Sequence, residues 1–163
     1  MNRLLSVLPV KDIFVLTMDR EFVGKEWLKY LDEKGIAFIA RIKMNIQIDA
    51  QRADVLAAKI LAQHRQDAGR CQSYGLNLFF ACKNITCNGA RETKLLVLSN
   101  RFRGRQALRI YKKRWGIERL FWHLKKKGFD LEATHMTCPP KLDKLFAVLA
   151  LALSLIHISE PTR

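Results

Sequence analysis

The sequence predicts an α/β domain, a mixed sheet flanked by helices, and two patterns carry that prediction. A strand-like run, an amphipathic helical stretch and a second strand-like run follow one another between Ile13 and Ile42. Further along, two β-rich runs flank a turn and lead into a long charged helix. The chain has 163 residues, 49% of them hydrophobic, which is enough to bury one core and excludes wholesale disorder.

Residues 1–8 read as the end of an amphipathic helix stopped by Pro9. Ile13 to Met18 is a continuous apolar run rich in β-formers, which predicts a buried central strand ending at Asp19. Phe22, Trp27, Leu28 and Leu31 recur at helical spacing as far as Gly35, a suitable C-cap, and Ala37 to Ile42 reads as the next strand. Residues 45–75 are polar and less decisive, with one helix expected from Ala53 to Gln63. Leu76 to Lys83 and Lys94 to Leu98 are predicted strands around a turn at Asn88-Gly89. Arg105 to Lys127 predicts one long helix stopped by Gly128, and Pro139-Pro140 opens a last helix. Residues 153–163 read as the in-frame translation of a sequencing-library adapter, a tail expected to carry no evolved function.

The four cysteines, Cys71, Cys82, Cys87 and Cys138, form no CxxC pair and stand at no finger spacing from a histidine, which argues against a zinc module. Size and composition exclude a small disulfide scaffold. The apolar run from Leu145 to Ile158 is too short to span a bilayer, so no membrane partner is expected. Charge is the informative quantity. The net charge is +14, and between Arg101 and Lys127 eleven bases stand against one acid, Glu118, so this stretch supplies +10 of it. Focusing of that kind suits a phosphate backbone, whereas the bland reading is a solvated charged face.

With Tyr111 at zero and about 100° per residue, Arg114 falls at about 300°, Glu118 at about 340° and Lys125 at about 320°. These four groups form one stripe beside an apolar stripe of Ile110, Ile117, Phe121 and Leu124. A carboxylate flanked by cations stays ionised and can ligate a divalent metal, the cations can grip phosphates, and the phenol offers a donor. Helix geometry alone favours a plainer reading, a salt-bridged surface helix in which Arg114 and Glu118 are an i,i+4 pair. Asp19 alone likewise reads as a turn residue capping the next helix.

The spacing Tyr111-x2-Arg114-x3-Glu118-x6-Lys125 resembles the Tyr-Arg-Glu-Lys signature of insertion-sequence 4-type transposases, a branch of the DDE group. Asp19-Arg20-Glu21-Phe22, directly after a strand, resembles that family's second acidic motif, with Gly24, Trp27, Leu28 and Arg41 following in register. Gly128 to His135 resembles the segment that follows the signature, and the likeness runs in order over residues 1–152.

The resemblance implies a partial ribonuclease-H-like fold with a mostly β insertion at about residues 44–100. It implies metal-dependent DNA strand cleavage and transfer, with Asp19 and Glu118 as two of three carboxylates holding two Mg2+ (or Mn2+) ions. Tyr111, Arg114 and Lys125 would hold phosphates of the transposon end, with Arg105, Arg119 and Lys126 as further DNA-binding bases. Transposon-end DNA would be the partner, a homodimer the assembly, and the bacterial cytoplasm, with the nucleoid, the location. The family's first acid belongs on an upstream strand, and Asp12, the only acid before Asp19, cannot replace it. The expectation is therefore a carboxy-terminal piece of the catalytic domain, clipped at both ends and inactive as it stands. The competing readings are a non-catalytic basic nucleic-acid-binding module and a ribonuclease-H-like nuclease of another role.

Overall fold

A five-stranded sheet organises the first of two compact units, Met1–Arg114 and Trp115–Arg163. The structure, a computed structural model, describes residues 5–85, 93–119, 122 and 137–148. The strands are β1 (Leu16–Met18), β2 (Phe38–Arg41), β5 (Asp67–Ser73), β6 (Leu76–Ile85) and β7 (Thr93–Ser99), in the order β1-β2-β7-β6-β5. Between β2 and β5 the chain makes a two-stranded ribbon of β3 (Gln47–Ile48) and β4 (Gln51–Arg52). β1 and β2 run parallel, joined by helix α1 (Lys25–Glu33), and the other neighbours are antiparallel. Helix α2 (Ala53–Ala62) precedes β5, and α3 (Gly104–Lys112) follows β7.

Alternation along the strands sorts side chains onto two faces. Met18, Phe38, Ala40, Phe80, Cys82 and Leu98 pack with Leu28 and Leu31 of α1 and with Ala53, Ala57 and Ile60 of α2. Ala37, Ile39, Ala81 and Val97 face the other way and pack with Phe102 and with Ala107, Leu108 and Tyr111 of α3. Helices therefore cover both faces of the sheet.

Local chemistry fixes the joints. At the end of α1, Gly35 takes φ +68°. Its N–H donates to the Asp32 carbonyl at 2.9 Å and the Ile36 N–H to the Leu31 carbonyl at 2.9 Å, a Schellman cap that launches β2. Tyr74 and Gly75, both at positive φ, close the β5–β6 hairpin as a two-residue turn between the paired Ser73 and Leu76. After β7, the buried Ser99 hydroxyl donates to the Phe38 carbonyl (2.7 Å) and accepts from the N–H groups of Arg101 (3.2 Å) and Phe102 (3.0 Å). Asn100 accepts from the Phe38 N–H at 2.9 Å and donates to the Ile36 carbonyl at 3.1 Å. These bonds tie the start of α3 to β2, two elements distant in sequence.

Several expectations are corrected. The run from Ile13 to Met18 is no central strand: only Leu16–Met18 pairs, on one side, and Phe14 stays 69% exposed. An apolar run reports burial and carries no information on how many neighbours a strand has. β5 is not among the expected strands, because its buried positions Cys71 and Ser73 are small and weakly hydrophobic and Asp67 and Gly69 precede them in the strand. The long helix from Arg105 is not one α-helix either. α3 ends at Lys112, a 3₁₀ turn occupies Lys113–Trp115, and α-helical geometry resumes over residues 116–119. A 3₁₀ step is about 120° per residue, so the angular positions computed for residues beyond Lys113 do not hold. Gly116, a poor helix former, follows that turn. In the second unit, residues 139–148 are helical from Pro139 onward. The turn at Asn88-Gly89, Lys125, Lys126 and residues 153–163 lie outside the described residues.

Candidate nucleic-acid interface

The parity of two strands places the charged groups. Asp19 follows β1 on the same parity as Val15, and Arg41 ends β2 on the parity of Ala37 and Ile39, so both belong to the face covered by α3. The register Met18↔Ala40 makes them neighbours at the carboxyl ends of a parallel pair, where open α/β sheets hold ligands. α3 then brings Tyr111, and the 3₁₀ turn after it brings Arg114, to the same place.

Arg41 Nη1 lies 3.8 Å from Asp19 Oδ1, and Arg114 Nη2 lies 3.8 Å from Asp19 Oδ2. At that separation these are charge contacts, since an N–H···O hydrogen bond needs about 3.2 Å or less. The Arg114 guanidinium carbon is 5.7 Å from the Tyr111 ring centroid. Asp19 Oδ1 also accepts from the Arg20 N–H at 2.8 Å, capping the 3₁₀ turn Arg20–Phe22. The turn-capping reading of Asp19 is therefore correct, and the same carboxylate faces two guanidiniums as well. Around this core, the exposed pairs Arg20–Glu21 (3.4 Å) and Lys43–Glu21 (3.5 Å) add little.

Tyr111 is 6% exposed, and among the described residues its O–H finds no acceptor. Burial pushes the phenol's pKa above its ordinary value; Asp19 adds to the rise, while Arg114 and Arg41 oppose it. At working pH the hydroxyl keeps its proton. It is a buried donor without an acceptor, in a cluster whose two guanidiniums outnumber its one carboxylate. The arrangement suits an anion with several oxygens.

Of the residues singled out from the sequence, Asp19, Tyr111 and Arg114 come together here. Arg105 is exposed on α3, and Glu118 and Arg119 are exposed in the second unit. Arg41 was noted only as part of a motif register, with no site role. The signal that finds it is the parity rule: the acid just after β1 and the base that ends β2 fall on the same face.

An α/β sheet whose parallel pair ends in an arginine-flanked acid, backed by a buried phenol, thus carries a positively charged cluster at its carboxyl edge. The family follows from comparison with known proteins: the profile described as transposase DDE domain matches residues 1–155, and the chain belongs to that family. No curated protein matches the chain. Membership implies DNA as the partner, and domains of this family generally use divalent metal ions. The described part of the cluster does not fit such an ion. Asp19 is its single carboxylate and already faces two guanidiniums, which would repel a dication. No group of three or more His, Cys, Asp or Glu side chains occurs among the described residues. Nor, among them, is any helix long and apolar enough to cross a membrane.

Proposed function

We propose that the chain is the DNA-handling part of an insertion-sequence 4-type transposase, in which Tyr111 and Arg114 grip a phosphate of the transposon end. The observation that supports this most is the convergence of Asp19, Tyr111 and Arg114, from separate elements, on one positively charged cluster. The family resemblance makes Lys125 a further phosphate-binding residue and Arg105, Arg119 and Lys126 further DNA-binding bases. The same resemblance assigns Asp19 and, separately, Glu118 as carboxylates for Mg2+ or Mn2+ in a core of ribonuclease-H-like kind, while the guanidiniums beside Asp19 oppose a metal ion there in the free chain. The parallel β1–α1–β2 unit with an acid after β1 supports that reading of the fold. Two ends brought together call for a dimer, and the place of action is the bacterial nucleoid. A lone carboxylate between two guanidiniums favours binding over cutting, so the 163-residue chain binds DNA and turns over negligibly.

The test is a titration of duplex DNA at several salt concentrations, followed by a nicking assay in Mg2+ and in Mn2+. Binding should weaken with salt, with a log–log slope of about −0.9 per phosphate neutralised. Arg114→Gln should weaken binding roughly tenfold and flatten the slope by about 1. Nicking should stay at background. Robust nicking that disappears in Glu118→Gln would overturn the inert reading, and absence of salt-dependent binding would overturn the DNA reading.

A further inference from the structure

We infer that Arg41 is a phosphate-binding residue, and that in the free protein Asp19 occupies the position a DNA phosphate takes in the complex. This rests on the DNA reading above and assigns a role to a residue outside the signature helix.

The geometry is that of a carboxylate standing in for a phosphate. Each guanidinium addresses a different oxygen, Arg41 on Oδ1 and Arg114 on Oδ2, as two arginines would address two non-bridging phosphate oxygens. Both contacts are long, so the exchange breaks no close hydrogen bond between Asp19 and either arginine. Asp19 is not stranded when they leave, because its hydrogen bond from the Arg20 N–H at 2.8 Å persists.

Arg41 is also held in place to receive such a ligand. Its strand is hydrogen-bonded on both sides, to β1 and to β7, and its neighbours Ala40 and Ile42 are buried. Its side chain is only 28% exposed, with Nη1 3.8 Å from Asp19 Oδ1. An ion pair this long, between two half-buried side chains, adds little to stability. An incoming phosphate would meet two cations and the Tyr111 hydroxyl, a buried donor lacking a partner among the described residues. Asp19 is the carboxylate that would repel it.

The consequence is contrary to the usual effect of removing an active-site acid: in EDTA, Asp19→Asn should bind duplex DNA more tightly. Asparagine keeps the capping oxygen for the Arg20 N–H and removes the competing charge. The full chain carrying Asp19→Asn should bind roughly three- to tenfold more tightly, with a salt slope steeper by about 1. Arg41→Gln should weaken binding roughly five- to tenfold and cancel most of the gain when combined with Asp19→Asn. Arg41→Lys, which keeps the charge and lies closer to the native side chain, should restore part of the affinity and guards against a folding defect. Urea midpoints for all variants should match the wild type.

If Asp19→Asn leaves affinity and slope unchanged while the wild type binds DNA, the exchange is wrong and the DNA reading stands. If Arg41→Gln binds like the wild type, or the double variant keeps the full gain, Arg41 is not the ligand. If the wild type shows no salt-dependent binding, both readings fall together.

Discussion

The two faces of the sheet are made by the same strands and do different work. Beneath α1 and α2, the buried residues among those described form a continuous core of apolar side chains. Beneath α3 the buried cluster has eight residues, and at the carboxyl ends of β1 and β2 it gives way to Asp19, Arg41 and Arg114. One face supplies stability. The other can then tolerate clustered positive charge and a buried hydroxyl whose proton finds no acceptor among the described residues, both of which cost stability.

That contrast breaks most visibly at the thick face. Phe80→Ala should lower unfolding free energy by about 3–5 kcal/mol, because Phe80 is fully buried in the larger cluster. Salt dependence of DNA binding by the molecules still folded should not change. A urea titration beside a binding titration checks both, and a change in salt slope would show that the faces are coupled. A smaller effect is expected where the two faces meet the start of α3. Gly104 has φ +49°, and a Cβ there would run into the Asp67 carboxylate, which also pairs with Arg103. Gly104→Ala should therefore cost about 1–2 kcal/mol, read from the same urea midpoint, and should weaken DNA binding because α3 carries Tyr111.

The smallest effect near neutrality is alkaline. Burial pushes the Cys71 thiol up to about 12, with Asp49 adding to it, and pushes Cys82 up to about 11, with Lys94 opposing and Asp67 adding. In the unfolded chain these thiols ionise near 9.0. The unfolded state then loses protons that the folded state keeps, so stability is complete below pH 9 and falls as pH rises toward 11 and 12. Both thiols lie in the thick core. Cys71→Val should flatten the decline in a series of urea midpoints from pH 8 to pH 11. An unchanged decline would mean that the burial assigned to Cys71 is wrong. Tyr111, on the thin face, contributes in the same direction above the ordinary phenol value of 10.0.

Much of the fold could be read in the sequence, for identifiable reasons. The strand–helix–strand start announces itself through the 3.6-residue spacing of Trp27, Leu28 and Leu31 and the stop at Gly35, and the β6 and β7 runs are densely β-forming. β5 stayed hidden because its inward residues, Cys71 and Ser73, are small and weakly hydrophobic. The 3₁₀ turn at Lys113–Trp115 stayed hidden because hydrophobic periodicity does not register a local tightening of the helix. That miss matters for the site: the stripe joining Tyr111, Arg114 and Glu118 assumed an unbroken helix. What brings Tyr111 and Arg114 to Asp19 is a tertiary arrangement, and the hydrogen bonds of Ser99 and Asn100 that anchor α3 have no sequence pattern of their own.

The glycine-capped stop of α1 also sets a rule for insertions and deletions. Between Gly35 and Arg41 the chain has no slack: the cap fixes where the backbone leaves the helix, and every following residue is committed to one side of the sheet or the other. Adding or removing a single residue there would turn the guanidinium into the oily layer against α1 and α2 and turn a methyl-bearing side chain toward the acid. Length variants are thus confined to places such as the β5–β6 hairpin tip, while this short stretch behaves as a ruler.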